Sequence, residues 1–464
     1  MTDARFLTAA LLVVATGCPD RTIAEVPVDQ DKIEQLDIPA VPKGFDILFV
    51  IDDSGSMVDE QASLRANFPK MIEVLEQLEG GLPDVHIGVV TPNMGTSATD
   101  GSSAAPAGTC SGQGEGGALR ALDGIRFLAD RPDGDGGRIR NYSGTLAEAF
   151  SQLANVGAAG CGLEQHLEAM KRATDGSNSL NAGFLREDAY FAVIVIADED
   201  DCSLANSSLF DAIPRSDPRY GDKINFRCIA QGVVCESPAT DFFAADGPRE
   251  DCSPREDSTE LTSIARYAEH LKSLKADPRD VAVAAITGDP ENFEITTDNG
   301  VTEIGNACSN PGAAAAPAVR IDGLLQHFEL STRATICEGD LSQGLRQIGE
   351  LITERIDPCF DSNLADIDPA TPGAQYECSV TEVRRTAGQE EEIDVLPACD
   401  RGAPPCFRIE EDAVQCSYTA ADPHLKLVIE RSAAVDPTLH IKAACVTATS
   451  AGSLARRTIA GPVL

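Results

Sequence analysis

Residues 45–57 read FDILFVIDDSGSM, and this stretch decides the fold of the chain. Residues 47–51 are apolar throughout and rich in β-branched and aromatic side chains, which is typical of a strand buried on both faces of a parallel sheet. A polar turn and then an amphipathic helix follow. The turn is therefore predicted to lie at the carboxyl edge of the sheet, where open α/β sheets bind their ligands.

This turn offers three oxygen ligands at a spacing that suits one hard cation. Asp52, Ser54 and Ser56 follow the pattern DxSxS, so a carboxylate and two hydroxyls can converge. Carboxylate, hydroxyl and water oxygens are the ligands that Mg²⁺ and Mn²⁺ take in proteins. Alternatively, the same side chains only cap the following helix, as serine and aspartate often do.

A second apolar strand, residues 191–197, ends in the four adjacent acids of residues 198–201. Because parallel strands bring their carboxyl ends to one crevice, Asp198 is predicted to join Asp52 at the cation. Four neighbouring carboxylates repel one another unless a cation neutralises some of them, so these acids could also serve a second site of the Ca²⁺ type. A merely solvated acidic turn is the alternative, but it does not explain why the acids follow a wholly apolar strand.

The arrangement resembles the metal-ion-dependent adhesion site of the von Willebrand factor A (VWA) family. The resemblance implies a VWA or Rossmann-like α/β fold, with a doubly wound, mostly parallel sheet flanked by helices. It also implies that a divalent cation, held by Asp52, Ser54, Ser56 and Asp198, recruits a carboxylate from a partner protein. Strand and helix patterns alternate over residues 45–356, which supports one such domain.

The sequence departs from the VWA pattern at residue 161. The family has a threonine here that completes the metal site, whereas this chain has Cys161 in the stretch GCGLEQHL, residues 160–167. Cys161 could form a disulfide, with Cys110 as the favoured partner, while Glu164 supplies the missing oxygen directly or through water. A solvated helix face is the alternative for Glu164, and a VWA domain without metal is the alternative for the whole site.

Composition and charge argue against several function classes. The 464 residues include 37 Lys+Arg against 74 Asp+Glu, a formal net charge of −37. Such an acidic surface repels phosphate backbones, so nucleic acid is not an expected partner. Because the chain has no HExxH, GxSxG or P-loop motif, we expect a protein that is not an enzyme. A metal-dependent hydrolase is the less favoured alternative.

The N-terminal segment resembles the signal peptide and lipobox of bacterial lipoproteins. An apolar core at residues 6–14 is too short to span a membrane, and it leads into Ala-Thr-Gly-Cys at residues 15–18. We therefore expect Cys18 to carry lipid and to anchor the protein in the inner or outer membrane of a bacterial envelope, facing the periplasm or the cell surface. An ordinary cleaved signal with a coincidental cysteine is the alternative.

Cysteine usage indicates an oxidising compartment. The chain has 15 cysteines and no CxxC pair, so zinc ribbons and fingers are not expected. If Cys18 carries lipid, an even number remains, which fits seven disulfides. The disulfide candidates are Cys110, Cys161, Cys202, Cys228, Cys235, Cys252, Cys308, Cys337, Cys359, Cys378, Cys399, Cys406, Cys416 and Cys445.

The domain organisation follows from these patterns. The predicted segments are a signal peptide (1–18), a tether with a short helix or edge strand (19–44), a VWA-like domain (45–356) with disulfide-held insertions (96–117 and 203–259), a small cysteine-rich β domain (357–450) and a tail (451–464). The whole resembles the VWA-bearing lipoproteins predicted in myxobacteria and related bacteria. The expected function is a lipid-anchored, cation-dependent adhesion protein, and a structural envelope lipoprotein with a degenerate metal-free domain is the alternative.

Overall fold

The computed structural model describes residues 33–448, with gaps at 42, 79–80, 211–222, 238–245, 292, 311–312, 355, 357, 369, 371, 387–388, 415, 417–418, 434 and 437. The predicted signal peptide, its lipidation residue Cys18 and the predicted tail 451–464 lie outside the described residues. None of the described helices combines the length and the apolar character that a membrane span requires.

Strands and helices alternate along most of the chain, and strands dominate its last quarter. The strands are β1 (Ile33–Pro39), β2 (Phe45–Ile51), β3 (Val85–Val90), β4 (Leu128–Pro132), β5 (Arg138–Arg140), β6 (Tyr190–Ile196), β7 (Val233–Ser237), β8 (Gly247–Pro254), β9 (Val281–Thr287), β10 (Phe293–Asp298), β11 (Val301–Ile304), β12 (Cys308–Asn310), β13 (Ala313–Ala315), β14 (Ser331–Thr335), β15 (Cys378–Thr386), β16 (Gln389–Leu396), β17 (Cys406–Glu411), β18 (Leu425–Glu430) and β19 (Leu439–Val446). The α-helices are α1 (Val58–Glu76), α2 (Leu146–Leu153), α3 (His166–Thr174), α4 (Ile224–Gly232), α5 (Ile264–Ser273), α6 (Val319–Leu325) and α7 (Ser342–Thr353).

A seven-stranded sheet forms the centre of the fold, in the order β14-β9-β6-β2-β3-β4-β5. The strands from β14 to β3 run parallel, and β4 and β5 extend one edge by antiparallel pairing. Every residue of β2, β6 and β9 is buried, as expected for apolar runs covered on both faces. The predicted doubly wound, mostly parallel α/β fold is confirmed.

Helices cover both faces of this sheet. On one face lie α1, α2 and α7, and Phe68 of α1 stacks on Phe150 of α2 with ring centroids 3.6 Å apart. On the other face α3, α5 and α6 supply buried side chains that include Met170, Tyr267 and Leu324. The two cores hold the central strands from both sides, so the ends of those strands form a rigid platform.

The strand order reverses between β2 and β6. From β2 the chain continues to β3 on one side, and it returns later to β6 on the other side of β2. The register pairs Ile51 with Ile196, so Asp52 and Asp198 leave the sheet at the same edge. Open α/β sheets bind ligands at such a reversal. The topology therefore places both predicted aspartates where a ligand site is expected.

The C-terminal region forms a second β structure held by disulfides. Its sheet has the order β1-β19-β15-β16, and β17 pairs with β18. The disulfides here are Cys359–Cys416, Cys378–Cys445 and Cys399–Cys406. These features confirm the predicted disulfide-rich β region. Residues 33–39, which fall in the predicted tether, pair with β19 and so belong to this sheet.

Residues 203–259 contain more regular structure than their sequence pattern suggested. They include α4, β7 and β8, and Phe226 and Ile229 of α4 pack against Phe293 and Ile295 of β10. The expectation of few regular elements is wrong here. The apolar residues that stabilise α4 lie in β10, outside residues 203–259, so the pattern within the segment does not reveal them. The remaining disulfides are Cys110–Cys161, Cys202–Cys228, Cys235–Cys252 and Cys308–Cys337, so all the candidate cysteines are paired.

Candidate metal centre

The first half of the site is the turn that follows β2. Asp52 is fully buried, and its Oδ1 accepts a hydrogen bond from the backbone N–H of Ser54 at 2.7 Å. The hydroxyl oxygens of Ser54 and Ser56 lie 3.0 Å apart. Gln61 of α1 donates to the backbone carbonyl of Asp52 at 2.9 Å, which holds the turn in place. These contacts gather the three DxSxS side chains at one point.

The second half of the site is Asp198, which lies two residues beyond β6. Asp198 is buried, and the nearby Ser56 hydroxyl opposes part of the rise that burial causes in its pKa. Ser56 therefore lies near both strand ends. Burial, and then repulsion from Asp198, raises the pKa of Asp52 well above its usual range. Burial also raises the pKa of Asp198 to about 6. The structure thus brings together the four residues that the sequence selected.

Glu164 also belongs to this cluster. It lies in the loop before α3 and is 3% exposed. Burial raises its pKa well above the usual range, and Glu199 and Asp52 add to the shift. The alternative of a solvated helix face is therefore wrong for Glu164. Cys161 forms a disulfide with Cys110 and offers no oxygen in place of the family's threonine.

Two residues that the sequence pattern did not indicate, Glu60 and His166, complete the cluster together with Glu199 of the acidic turn. Glu60 of α1 is buried, and its charge contributes to the raised pKa of Asp198. His166 is the first residue of α3 and is fully buried. Glu60 follows Ser56 by one helical turn, and this spacing is a signal that could have identified it. The sequence around His166 carries no comparable signal.

Several buried polar atoms at this edge have no hydrogen-bond partner among the described residues. They are Oδ2 of Asp52, Oδ1 of Asp198, Oε1 of Glu164, Oε2 of Glu60 and both ring nitrogens of His166. Each such atom costs about 1–3 kcal/mol, and a charged group costs more, so proteins seldom leave them without an ion or a water. Carboxylate and hydroxyl oxygens with one imidazole are a donor set that fits a divalent cation.

Two other groups of metal-type ligands are closer together than those at the sheet edge. Within the described parts of the chain, three such atoms lie within 4.8 Å of one another in Cys399, Cys406 and Glu430, and in Asp277, Asp280 and His440. The first group is occupied by a disulfide, and in the second Arg279 and Lys43 already pair with the aspartates. Among the described residues, the carboxylates and the imidazole at the sheet edge do not form such a group.

The remaining two acids of the turn after β6 have a structural role. Asp200 accepts hydrogen bonds from the backbone N–H groups of Arg320 and Ile321 at the start of α6. Asp201 forms a fully buried ion pair with Arg320 at 3.0 Å, and it accepts from the N–H of Leu167 at 2.9 Å. The second site of the Ca²⁺ type, which the four adjacent acids could have served, is not formed by these two, because backbone donors and an arginine already occupy their carboxylates.

The loop that carries Cys161 packs directly on the turn after β2. The backbone N–H of Gly160 donates to the carbonyl of Asp53 at 2.9 Å. A Cβ on Gly160 would lie 2.1 Å from Oδ1 of Asp53, so a larger residue here would have to displace the Asp53 side chain. The Cys110–Cys161 disulfide then ties the loop of residues 96–117 to the rim of the site, and this predicted pairing is confirmed.

No protein-family model matches the sequence, and no curated protein matches it. Among solved structures, the chain is similar to a von Willebrand factor type A protein from Catenulispora acidiphila, at 10% identity and a TM-score of 0.30, over 89% of this chain and 64% of that one. Proximal thread matrix protein 1 from the mussel byssus, with a zinc occupied MIDAS motif, is similar at 12% identity and a TM-score of 0.27, over 71% of this chain and 52% of that one. The pilus adhesin SpaC from Lactobacillus rhamnosus GG is similar at 10% identity and a TM-score of 0.29, over 91% of this chain and 41% of that one. The chain spans less than two thirds of each of these proteins, and TM-scores this low assign no function to it.

Proposed function

We propose that this chain is a lipid-anchored adhesion protein of the bacterial envelope whose α/β domain holds one divalent cation. The cation is Mg²⁺ or Mn²⁺, with Ca²⁺ as a further candidate, and it recruits a carboxylate from a partner protein. The lipid would be carried by Cys18. One observation carries the proposal: where β2 and β6 end, buried carboxylate oxygens have no hydrogen-bond partner among the described residues, and they lie beside two serine hydroxyls in contact.

Burial and charge repulsion at this site favour the entry of a cation. Asp52 and Asp198 are both buried, and the charge of Asp198 raises the pKa of Asp52. Burial and repulsion both oppose ionisation of these carboxyl groups, and a bound cation removes both costs at once. Ser54 and Ser56 add oxygens that carry no charge, so the bound ion keeps part of its positive charge.

The bound ion would stay accessible to a partner. Ser56 is exposed, so the ion's coordination shell opens toward solvent on that side. An octahedral ion such as Mg²⁺ keeps positions that the protein does not fill. A partner carboxylate that takes one of them gains a charge-assisted contact. The acidic surface, at a net charge of −37, otherwise repels an acidic partner, so binding should depend on the ion.

Glu164 is assigned the position that threonine has in the VWA pattern, and two substitutions test its role. Glu164→Ala should weaken Mn²⁺ binding by about 10- to 100-fold, the range typical of lost metal-site support. Glu164→Gln keeps an oxygen on a side chain of the same length, so it should lose less Mn²⁺ affinity than Glu164→Ala. A neutral oxygen ligand suffices at a position where the VWA pattern has threonine. Calorimetric titration with Mn²⁺ measures both variants.

The exposed Glu269 of α5 provides the matched control for these titrations. Glu269→Ala removes a carboxylate of the same kind far from the strand ends, and we expect Mn²⁺ affinity to stay unchanged. Wild-type affinity in Glu164→Ala would show that Glu164 is not a ligand. The assignment of Asp52 and Asp198 would then stand without a third acid.

Cation binding should strengthen as the pH rises from about 5 to about 7. The pKa of Asp198 is raised to about 6 by burial, so at lower pH an incoming ion must displace a proton. Below that pKa the apparent affinity should fall about tenfold per pH unit for each proton released. Calorimetry in buffers of different ionisation enthalpy counts the protons, and a constant affinity with no proton release would remove Asp198 from the ligand set.

The two alternative functions give different results with the same protein. A structural envelope lipoprotein with a metal-free domain, which the disulfide at Cys161 favours, would show neither heat nor a thermal shift with Mg²⁺, Mn²⁺ or Ca²⁺. A metal-dependent hydrolase would show an activity that disappears in Asp198→Ala. The proposed adhesion protein should capture a partner from envelope extracts that EDTA releases and that Asp52→Ala fails to capture.

A further inference from the structure

His166 is a buried imidazole without a partner in the described residues. Its side chain is 0% exposed, and neither ring nitrogen makes a hydrogen bond there. Nε2 lies 4.0 Å from Oδ2 of Asp52, an oxygen that also lacks a partner. Burying three polar atoms in this way is costly. We therefore expect a bound group, such as a metal ion, that contacts both side chains.

The neighbouring charges do not supply that group. Asp201 lies near His166, but its oxygens already accept from the N–H of Leu167, the hydroxyl of Ser203 and the guanidinium of Arg320. Both ring nitrogens of His166 and Oδ2 of Asp52 therefore remain without a hydrogen-bond partner among the described residues.

The distance between the two side chains fits one bridging ion. Imidazole nitrogen and carboxylate oxygen each bind a transition-metal ion at about 2.0–2.2 Å, so an ion that bound both across the 4.0 Å between Nε2 and Oδ2 would hold them at a wide angle, near opposite positions of its coordination shell. Glu164 precedes His166 by two residues, and both side chains are buried. The end of the loop before α3 and the first residue of α3 thus carry one candidate oxygen ligand and one candidate nitrogen ligand.

We infer that His166 is a nitrogen ligand of the cation at this sheet edge, and that the site therefore binds Mn²⁺ or Zn²⁺ in preference to Mg²⁺ and Ca²⁺. Imidazole suits the transition ions, whereas Mg²⁺ and Ca²⁺ take oxygen ligands. The inference rests on the proposed function for the presence of a cation, and it adds a ligand and an order of preference among ions.

Pulsed electron paramagnetic resonance of the full chain loaded with Mn²⁺ tests this ligand directly. A bound imidazole couples its nitrogen to the manganese electron spin, and isotope-labelled histidine should change that signal. His166→Gln should abolish the nitrogen signal. His327→Gln, which changes an exposed histidine, should retain it.

Calorimetry with single metal ions provides the second readout. Wild type should bind Mn²⁺ and Zn²⁺ at least about tenfold more tightly than Mg²⁺, and His166→Gln should lose most of that preference while Mg²⁺ affinity changes less. If His166→Gln does not fold, the spectra of labelled and unlabelled wild type still decide the question.

The outcomes separate the inference from the function on which it rests. Bound Mn²⁺ without any nitrogen coupling would overturn the inference and leave the cation site in place, with only oxygens as protein ligands. A protein that binds neither Mn²⁺ nor Zn²⁺ nor Mg²⁺ would overturn both. Histidine coupling that survives in His166→Gln would overturn the assignment to this residue.

Discussion

Asp52→Asn is expected to bind divalent cations about 100-fold more weakly than wild type, or worse, and to lose cation-dependent partner binding. Asp52 has one oxygen held by the N–H of Ser54 and a second oxygen free of partners in the described structure. An asparagine can keep the first contact through its amide oxygen, but it removes the negative charge from the ion. The local fold should therefore survive while the site fails.

The metal-free stability of Asp52→Asn should be equal to that of wild type or higher. Burial and Asp198 raise the pKa of Asp52, so its ionised form destabilises the folded protein above its ordinary pKa. Thermal melts in EDTA and in Mn²⁺ measure both effects, and the gain that Mn²⁺ gives wild type should vanish in the variant. Asp59→Asn, an exposed change on α1, is the control. Wild-type affinity in Asp52→Asn would refute the site.

Arg320→Ala is expected to lower the free energy of unfolding by about 3–5 kcal/mol, the range for breaking a buried ion pair from one side. Arg320 is 0% exposed, and its guanidinium donates to the carboxylate of Asp201 at 3.0 Å and to the carbonyl of Thr262 at 2.8 Å. Loss of Arg320 leaves the buried charge of Asp201 without its counterion. Asp201 belongs to the same acidic turn as Asp198 of the metal site.

Urea denaturation measures this effect, with Lys70→Ala as the control. Lys70 pairs with Glu73 on the surface, where both side chains are about half exposed, so its loss should change stability by no more than about 0.5 kcal/mol. A change below about 1 kcal/mol in Arg320→Ala would contradict the structural role given to Asp201. Where Arg320→Ala stays folded, it should still bind Mn²⁺, because Arg320 is not a ligand.

The central sheet could be predicted from the sequence because its strands are continuous apolar runs. Burial on both faces requires such runs, and β2 and β6 show them without interruption. The position of Asp52 and Asp198 followed from the same reasoning, since both come directly after these strands. Strand β1 was harder to place, because its partner β19 lies at the far end of the described chain.

The different roles of the four acids after β6 could not be predicted from the sequence. Residues 198–201 are four adjacent acids that look equivalent. In the fold, Asp200 and Asp201 both accept hydrogen bonds from Arg320, which is 119 residues from Asp201 in the chain, and this gives them a structural role. His166 could not be predicted for the same physical reason, since tertiary packing brings it to the site, whereas the helical spacing from Ser56 to Glu60 was a local signal.

Diffraction from crystals of the full chain grown with Mn²⁺, collected at the manganese absorption edge, tests the central claim most directly. One anomalous peak, from a bound Mn²⁺ ion, is expected where β2 and β6 end, within bonding distance of the Ser54 and Ser56 hydroxyls. Asp52 and Asp198 should reach the ion directly or through water. A manganese peak at another place, or an empty sheet edge at saturating Mn²⁺, would contradict it.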